Sequence, residues 1–356
     1  MKYDLMKTFM VQTSATVVDA MERIDRNDKK ILFVVDDFDK LEGAVTDGDI
    51  RRWLIRTGDL QGKVKEFMNK TPKFIYLSEI HSAEDCMECY GINALPVLNS
   101  DNKITDIIFR NQKPVMVKKE KDILTKVPVV IMAGGKGTRL YPYTRILPKP
   151  LIPIGDIPIM ERIIGQFTDY GVFDFFVTVN YKKEMIKSYF SERDHKYQLR
   201  YIDEESPLGT AGSLGLIPER FTSPFIVTNC DILIHADYEE IYQYHMDSHN
   251  VLTMVAALKN IMIPYGVIHT KENGVVSALE EKPKLSYFIN TGMYILNPEA
   301  LEYIPKDTFF HMTDLADVLL QANLKVGIYP ISEDSFLDMG EFEEMHRMEK
   351  KLNLKS

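Results

Sequence analysis

Nearly uninterrupted apolar runs and amphipathic helical segments follow one another along the chain. Apolar runs at residues 31–35, 94–98, 127–132 and 225–228 predict buried strands, because they lack the alternation of a half-exposed strand. Residues 16–24 and 82–90 have the pattern of helices, and each precedes one of the first two runs. The pattern therefore predicts two units rich in β-α-β structure near the N-terminus, followed by a region with strongly buried strands.

The two N-terminal units are related by an internal repeat. The polar turn at 36–41 (Asp-Asp-Phe-Asp-Lys-Leu) is echoed at 99–104 (Asn-Ser-Asp-Asn-Lys-Ile), which places Lys40 and Lys103 63 residues apart. Neither unit is large enough to bury its own sheet, so we expect the two units to pack face to face.

A charged segment at residues 118–122 separates the repeats from the buried strand at 127–132. A solvated hinge followed by a core strand is typical of a domain boundary. A length of 356 residues also favours two domains at roughly 100–200 residues each. We therefore predict one domain over 1–122 and a second over 123–356.

Composition and charge exclude several partners. Acidic residues outnumber basic ones, 52 to 43, and the net charge of −9 argues against a nucleic-acid partner, which requires a basic surface. No apolar run approaches the roughly 20 residues that span a bilayer, so no membrane association is expected. The first ten residues lack the apolar stretch of a secretion signal, and three cysteines are too few for a disulfide framework. These features predict a cytoplasmic protein.

Residues 43–51 of the first repeat (Gly-Ala-Val-Thr-Asp-Gly-Asp-Ile-Arg) form a motif that is typical of a known family. Segment 1–122 resembles a tandem pair of CBS domains, with a regulatory or dimerisation role. The resemblance implies that Thr46 and Asp49 bind the phosphate and ribose of an adenosine nucleotide. It also implies a homodimer or a larger even homo-oligomer, and a pair that only mediates dimerisation is the alternative.

The second copy departs from this motif. Aligned on the repeat, Asp106, Phe109 and Gln112 stand where the first copy has Gly43, Thr46 and Asp49. We therefore expect at most one ordinary nucleotide site in the pair.

A glycine-rich loop follows the strand at 127–132, with the sequence Ala-Gly-Gly-Lys-Gly-Thr-Arg-Leu over residues 133–140. Glycines let backbone N–H groups approach a polyphosphate without interference from a Cβ atom. The loop is not a Walker A motif, because Thr-Arg rather than Lys-Ser/Thr follows Gly137. Arg139 and the later Lys149 add two cations, which suit the stabilisation of charge in phosphoryl transfer.

Further polar segments follow in order: residues 204–213, an apolar strand that ends in Asp231, residues 280–283, residues 290–294, and residues 336–340 with Asp338. Open α/β sheets bind their ligands at the carboxyl ends of strands. Residues 127–345 together resemble the sugar-1-phosphate nucleotidyltransferases. The resemblance implies a Rossmann-like α/β domain with a mixed, mostly parallel sheet, and a reaction of NTP with a hexose-1-phosphate that releases pyrophosphate.

The resemblance also implies a role for each matching residue. Arg139 would hold the β- and γ-phosphates, Lys149 the α-phosphate, and Asp231 and Asp338 the Mg²⁺ ion. Other nucleotide-binding positions are Ala133, Gly134, Gly135, Gly137, Thr138, Glu204, Gly209 and Thr210. For the sugar phosphate, Lys282 would bind the phosphate, and the remaining positions are Gly266, Glu281, Asn290 and Gly292.

The base and the sugar are separate questions. The resemblance implies that Glu204, five residues before Gly209, reads the base. A carboxylate accepts the two adjacent N–H donors of guanine better than it matches thymine or uracil, so GTP is favoured. Glu205 is the alternative reader. A CBS pair ahead of the transferase resembles the guanylyltransferases of bacterial surface-sugar pathways, among them those that act on glucosamine-1-phosphate in legionaminic acid synthesis. This implies glucosamine-1-phosphate as the substrate, in the synthesis of surface-glycan precursors.

Three alternatives stay open. One is a mannose-1-phosphate guanylyltransferase, another is a glucose-1-phosphate thymidylyl- or uridylyltransferase, and the third is a catalytically silent homologue that senses nucleotides.

Overall fold

The chain divides into two units, and each of them is discontinuous in sequence. The structure, a computed structural model, describes residues 6–27, 29–110, 122–193, 196–218, 221–340 and 342–351. Unit 1 comprises Met1–Lys119 and Leu258–Tyr287, and unit 2 comprises Glu120–Ala257 and Phe288–Ser356. This division differs from the predicted domains because residues 258–287, which we call the insertion, group with the N-terminal repeats.

The two repeats of unit 1 have the same strand pattern. The first contains β1 (Met10–Gln12), α1 (Val17–Asp25), β2 (Ile31–Val35), β3 (Leu41–Thr46) and α2 (Asp47–Thr57). The second contains β4 (Ile75–Tyr76), α3 (Ala83–Tyr90), β5 (Ala94–Leu98) and β6 (Ile104–Phe109). In each copy the first two strands are parallel and the third is antiparallel to the second. The repeat predicted from the polar turns is confirmed.

The copies meet around an internal two-fold axis at the polar turns. The Leu41 N–H donates to the Asn102 carbonyl (3.0 Å), and the Ile104 N–H donates to the Asp39 carbonyl (3.2 Å). A shift of 63 residues converts one bond into the other. One core cluster also contains buried residues of both copies. The predicted face-to-face packing is therefore confirmed.

The remaining strands and helices follow in chain order. The strands are β7 (Val129–Ala133), β8 (Pro153–Ile154), β9 (Ile157–Pro158), β10 (Asp174–Val179), β11 (Gln198–Asp203), β12 (Phe225–Asn229), β13 (Ile232–Ile234), β14 (Leu252–Met262), β15 (Gly266–Thr270), β16 (Val276–Glu281), β17 (Lys284–Leu296), β18 (Val326–Ser332) and β19 (Phe336–Asp338). The helices are α4 (Tyr143–Ile146), α5 (Ile159–Thr168), α6 (Lys183–Ser191), α7 (Gly209–Gly212), α8 (Tyr238–Ser248), α9 (Met312–Gln321) and α10 (Phe342–Lys351).

Unit 2 is built on a seven-stranded sheet with the order β11-β10-β7-β12-β17-β14-β18. Strands β11, β10, β7 and β12 are parallel, and β17 runs antiparallel to β12. All five residues of β7 are buried, and they alternate between two core clusters, because Val129 and Ile131 belong to one and Val130 to the other. A strand covered on both faces needs a continuous apolar run. The predicted α/β fold, with its mixed, mostly parallel sheet, is confirmed.

The insertion contains the β15–β16 hairpin, whose antiparallel register pairs Gly266 with Glu281. Below the hairpin, the Ile263 N–H donates to the Pro283 carbonyl (3.0 Å) and continues the pairing toward the base. In the part of the chain that the structure describes, no helix combines the length and apolar character needed to cross a bilayer.

Candidate active site

The glycine-rich loop leaves the carboxyl end of β7 and turns toward Lys149. Gly137 has a φ of +63°, and a Cβ atom there would lie 2.9 Å from the methyl of Thr144 and 3.2 Å from the Cβ of Lys149. The Gly137 carbonyl also accepts a hydrogen bond from the Thr144 hydroxyl (2.9 Å). Beside Gly135, in contrast, a Cβ would meet nothing within 4 Å. The loop is therefore packed at its end and open at Gly135, where a ligand can approach the backbone.

Lys149 forms an ion pair with Asp231. The ammonium contacts Oδ2 of the carboxylate, and the exposed fractions of the two side chains are only 12% and 15%. Lys149 begins a 3₁₀ turn after Pro148, whereas Asp231 lies between β12 and β13. Shielding from water strengthens the attraction between the two charges.

Asp338 joins this pair through a short β ladder. In the antiparallel pairing of β13 with β19, Ile232 lies opposite Asp338, and the Met339 N–H donates to the Asp231 carbonyl (2.9 Å). Burial and the negative charge of Asp231 raise the pKa of Asp338, while the charges of Lys149 and Arg139 oppose the shift. Two carboxylates and two cations thus come together near the carboxyl end of β12.

The two carboxylates of this group are suitable ligands for a hard divalent cation. Mg²⁺ binds through one or two carboxylates and takes its other ligands from phosphate oxygens and water. Asp231 and Asp338 offer such a pair, and among the described residues no cluster of three or more His, Cys, Asp or Glu side chains surrounds a common point. The arrangement suits a metal that arrives with a phosphate ligand better than a closed structural site.

Glu204 lies directly beside the loop. It follows β11, its N–H donates to the Val179 carbonyl (2.9 Å), and its side chain accepts from the Leu208 N–H (3.3 Å). A Cβ atom on Gly134 would lie 2.5 Å from Oε1 of Glu204. Only 5% of Glu204 is exposed, and this burial raises the pKa of its carboxyl. The backbone of two neighbouring strands therefore holds a buried carboxylate against the first glycine of the loop.

Gly209 contacts the segment before α9, and Thr210 contacts the first residue of that helix. Gly209 has a φ of +77°, and a Cβ atom there would lie 2.6 Å from the Phe310 carbonyl oxygen. The Thr210 hydroxyl accepts a hydrogen bond from the Met312 N–H (3.0 Å). These contacts give both residues a structural role, and nucleotide binding by them stays a prediction. Of the other predicted loop residues, Ala133 is buried and Thr138 is exposed.

Asn290 and Gly292 lie at the start of the buried half of β17. Asn290 accepts from the Gly292 N–H (3.1 Å) and donates to the Tyr294 hydroxyl (2.7 Å). Gly292 has a φ of +90°, and a Cβ atom there would collide with the Asn229 amide. Asn229, the last residue of β12, thus packs against the Gly292 backbone, a contact that the sequence did not predict.

The remaining predicted sugar-phosphate residues belong to the insertion and therefore to unit 1. A Cβ atom on Gly266 would lie 3.0 Å from Oε2 of Glu281, so the glycine leaves room for this carboxylate. Lys282 is exposed and adopts a φ of +49° after β16. The structure thus places Gly266, Glu281 and Lys282 on one unit and Asn290 and Gly292 on the other.

The predicted nucleotide residues of the first repeat form a capping box at the start of α2. The Thr46 hydroxyl accepts from the Asp49 N–H (3.3 Å), and the Asp49 carboxylate accepts from the Thr46 N–H (2.9 Å) and hydroxyl (2.7 Å). Arg52 also contacts Asp49 (2.6 Å). A Cβ atom on Gly43 would lie 2.8 Å from the Asn69 carbonyl oxygen. Each motif residue thus has a structural role, and nucleotide binding by Thr46 and Asp49 stays a prediction.

In the second copy, the corresponding Asp106 and Phe109 lie on β6, and Gln112 falls outside the described residues.

Comparison with known proteins finds family models that match two regions of the chain. The nucleotidyl transferase model matches residues 128–354, and the CBS domain model matches residues 2–56. The UTP–glucose-1-phosphate uridylyltransferase of Synechocystis is 32% identical over 232 residues, which are 59% of this chain and 59% of the relative. The mannose-1-phosphate guanyltransferase of Candida albicans is 35% identical over 184 residues, 49% of this chain and 51% of the relative.

The chain therefore spans only about half to three fifths of the length of these two relatives. Among solved structures, HddC from Yersinia pseudotuberculosis superposes with a TM-score of 0.51 at 27% identity and covers 64% of this chain and 99% of that one. The matched region includes the glycine-rich loop, Lys149, Asp231 and Asp338. With an N-terminal CBS domain ahead of that region, the chain belongs to the nucleotidyl transferase family.

Proposed function

We propose that this protein transfers a nucleotidyl group from an NTP to a hexose-1-phosphate and releases pyrophosphate. The observation that carries the proposal is the Lys149–Asp231 ion pair beside Asp338, in the same unit as the open glycine-rich loop. Family membership supports it, because the relatives named above are sugar-1-phosphate nucleotidyltransferases.

The reaction needs positioning and charge neutralisation rather than a protein nucleophile. A phosphate oxygen of the sugar phosphate attacks the α-phosphorus, and the bond to the β-phosphate oxygen breaks, so that its electron pair leaves with pyrophosphate. Arg139 stabilises the charge that develops on the leaving group, and Lys149 that on the α-phosphate. Asp231 and Asp338 would hold Mg²⁺, which would supply further neutralisation of the phosphate charges.

We assign the nucleotide as GTP. The buried carboxylate of Glu204 lies against the loop that would hold the nucleotide, and guanine presents two adjacent N–H donors to such an acceptor pair. If the carboxylate faced the carbonyl groups of uracil or thymine, its oxygens would lack hydrogen-bond donors. Each unsatisfied group would cost about 1–3 kcal/mol. The relatives include both a guanyltransferase and a uridylyltransferase, so the assignment depends on Glu204.

Glucosamine-1-phosphate is the proposed sugar substrate, in surface-glycan precursor synthesis, and it follows from the domain order of the chain. Mannose-1-phosphate is the second candidate, because several fungal relatives with 34–35% identity are mannose-1-phosphate guanyltransferases. In either case Lys282 and Glu281 of the insertion, with Asn290 and Gly292, are the proposed ligands of the sugar phosphate.

For the CBS pair we propose one adenosine nucleotide per chain, bound at Thr46 and Asp49, and self-association into a homodimer or larger even assembly. An effect on catalysis requires that the nucleotide bind two states of the protein with different affinity.

One assay tests the reaction. The full-length protein is incubated with Mg²⁺, each of GTP, UTP, dTTP and ATP, and each of glucosamine-1-, mannose-1- and glucose-1-phosphate, and pyrophosphate is measured. We expect release with GTP and an amino sugar phosphate, and a loss of roughly 10²-fold or more in kcat for Lys149→Ala. A protein that is inactive with every pair, yet binds nucleotide, is the catalytically silent homologue instead.

A further inference from the structure

The insertion is joined to the CBS repeats by a polar network centred on Glu22. Glu22 lies on α1 of the first repeat and is partly buried, with 29% of its side chain exposed. Its Oε1 accepts a hydrogen bond from the Asn260 side-chain amide (3.0 Å) and forms an ion pair with the Lys284 ammonium. Both partners belong to the insertion, which lies in the same unit as α1.

These two contacts reach both strands at the base of the insertion. Asn260 lies on the strand that enters it, and Lys284 on the strand that leaves it. The Ser286 hydroxyl donates to Oδ1 of Asn260 (2.6 Å), so the strands are also cross-linked to each other beside Glu22. One carboxylate thus fixes the two ends of the hairpin relative to α1.

The same base supports the proposed sugar-phosphate residues. Lys284 follows Lys282 by two positions and Glu281 by three. The ammonium of Lys284 also attracts Asp19, one turn earlier on α1, which adds a second attraction to the helix. A change at Glu22 is therefore transmitted through a very short stretch of backbone to the residues that would bind the sugar phosphate.

We infer that Glu22 is a positioning residue: through Asn260 and Lys284 the first CBS repeat holds the insertion in the conformation that binds the hexose-1-phosphate. The inference rests on the proposed function, because it assigns Glu281 and Lys282 to that substrate. Among the residues that the structure describes, the Glu22 carboxylate contacts Asn260 and Lys284 of the insertion, so we expect the effect to fall on the substrate that the insertion would bind. The CBS unit then sets the affinity for the sugar phosphate and leaves the affinity for the NTP unchanged.

The primary test is steady-state kinetics of full-length Glu22→Gln, which keeps the size of the side chain and removes its charge. We expect the KM for the hexose-1-phosphate to rise at least fivefold, with the KM for the NTP and kcat within twofold of wild type. Asp85→Asn is the matched control, because Asp85 lies 63 residues further along, at the equivalent position of the second repeat helix, and should change neither KM. Equal changes in both KM values would mean a general structural role and would overturn the inference.

A charge exchange gives an independent test. Glu22→Lys and Lys284→Glu should each raise the KM for the sugar phosphate, and the double variant should return it to within twofold of wild type. Failure of the double variant to recover, while it remains folded by circular dichroism, contradicts a direct coupling between the two side chains.

Hydrogen–deuterium exchange separates this inference from the proposed function. Amides of residues 258–287 should exchange faster in Glu22→Gln than in wild type, whether or not the protein turns over. If wild type releases no pyrophosphate with any substrate pair, the proposed function fails, and exchange still decides whether Glu22 holds the insertion. If wild type is active and Glu22→Gln leaves both exchange and the sugar-phosphate KM unchanged, the inference alone is overturned.

Discussion

The carboxylate of Glu204 occupies the space that a side chain at Gly134 would need. A Cβ atom at that position would lie 2.5 Å from Oε1 and 3.1 Å from Oε2 of Glu204. Glu204 cannot easily move away, because the Leu208 N–H and the strand backbone hold it in place. The packing of Glu204 therefore requires a glycine at position 134, whether or not the loop binds phosphate.

Gly134→Ala should destabilise the protein measurably. Overpacking of this kind costs about 1–3 kcal/mol, and each kcal/mol lowers Tm by roughly 1–2 °C in a chain of this size. Thermal unfolding followed by circular dichroism measures the shift. Gly135→Ala is the matched control for stability, since a Cβ there meets nothing within 4 Å and Tm should hold or rise slightly. Equal Tm values for the two variants would contradict the packing argument.

Glu204→Gln should reduce discrimination for guanine. The amide keeps the size of the side chain but replaces one acceptor by a donor, so GTP loses a hydrogen bond and UTP or dTTP gains one. We expect the ratio of kcat/KM for GTP over UTP to fall roughly tenfold or more, with the KM for the sugar phosphate unchanged. The comparison variant is Glu205→Gln, because the adjacent Glu205 is exposed. A larger loss of selectivity in Glu205→Gln would identify that residue as the reader of the base.

Asp338→Asn should raise thermal stability at neutral pH in the presence of EDTA. Burial and the charge of Asp231 raise the pKa of Asp338, so the folded protein binds this proton more tightly than the unfolded chain does. Stability from this group is complete below about pH 4, its ordinary pKa, and is lost as pH rises through the higher folded pKa. Wild type should therefore melt below Asp338→Asn at pH 7, and the difference should vanish near pH 3.5.

Asp338→Asn should lower activity although it raises stability. We expect a loss of roughly 10²-fold or more in kcat if the residue binds the catalytic metal. Asp317→Asn, on the exposed face of α9, serves as the control for removing a negative charge from unit 2. A stabilisation of the same size in both variants would show that net charge, rather than the pair of carboxylates, is responsible.

Thr46→Ala should cost stability and nucleotide binding together, whereas Thr16→Ala should cost stability alone. Both threonines cap a helix and share the same reciprocal hydrogen bonds, with Asp49 and Asp19 respectively. Loss of such a cap costs about 1 kcal/mol in each case. Calorimetric titration of the full-length variants with AMP, ADP and ATP distinguishes the two roles, and wild type should bind about one nucleotide per chain. Binding that survives in Thr46→Ala and Asp49→Ala would leave the motif as a cap only.

Much of the architecture follows from local patterns. The unbroken apolar run of β7 required a strand covered on both faces, and the matching turns at Lys40 and Lys103 required two related units. The sequence places Asp231 at the carboxyl end of a strand and the family resemblance pairs it with Asp338, but only the β13–β19 ladder shows how the two come together. That ladder joins three-residue strands, which are too short to leave a periodic signal.

The affiliation of the insertion could not be predicted. Residues 258–287 lie between two strands of the large sheet, so contiguity placed them in the second domain. Long-range side-chain contacts such as those of Glu22 join them to the first repeat, and no local pattern encodes these contacts. The capping function of Thr46 and Asp49 could have been predicted from the sequence, because Thr-x-x-Asp before an apolar residue is a signal for the start of a helix.

The two-fold exchange between Leu41, Asn102, Ile104 and Asp39 uses backbone atoms alone. Backbone hydrogen bonds of this kind do not depend on the surrounding side chains. A duplicated segment can therefore keep its register while the residues on its surface change. After such a duplication, one copy can lose a ligand-binding motif and still pair with the other copy. The substitution of Gly43 and Thr46 by Asp106 and Phe109 in the second copy is the kind of divergence this permits. Evolution can in this way turn a symmetric pair into two halves with different surfaces.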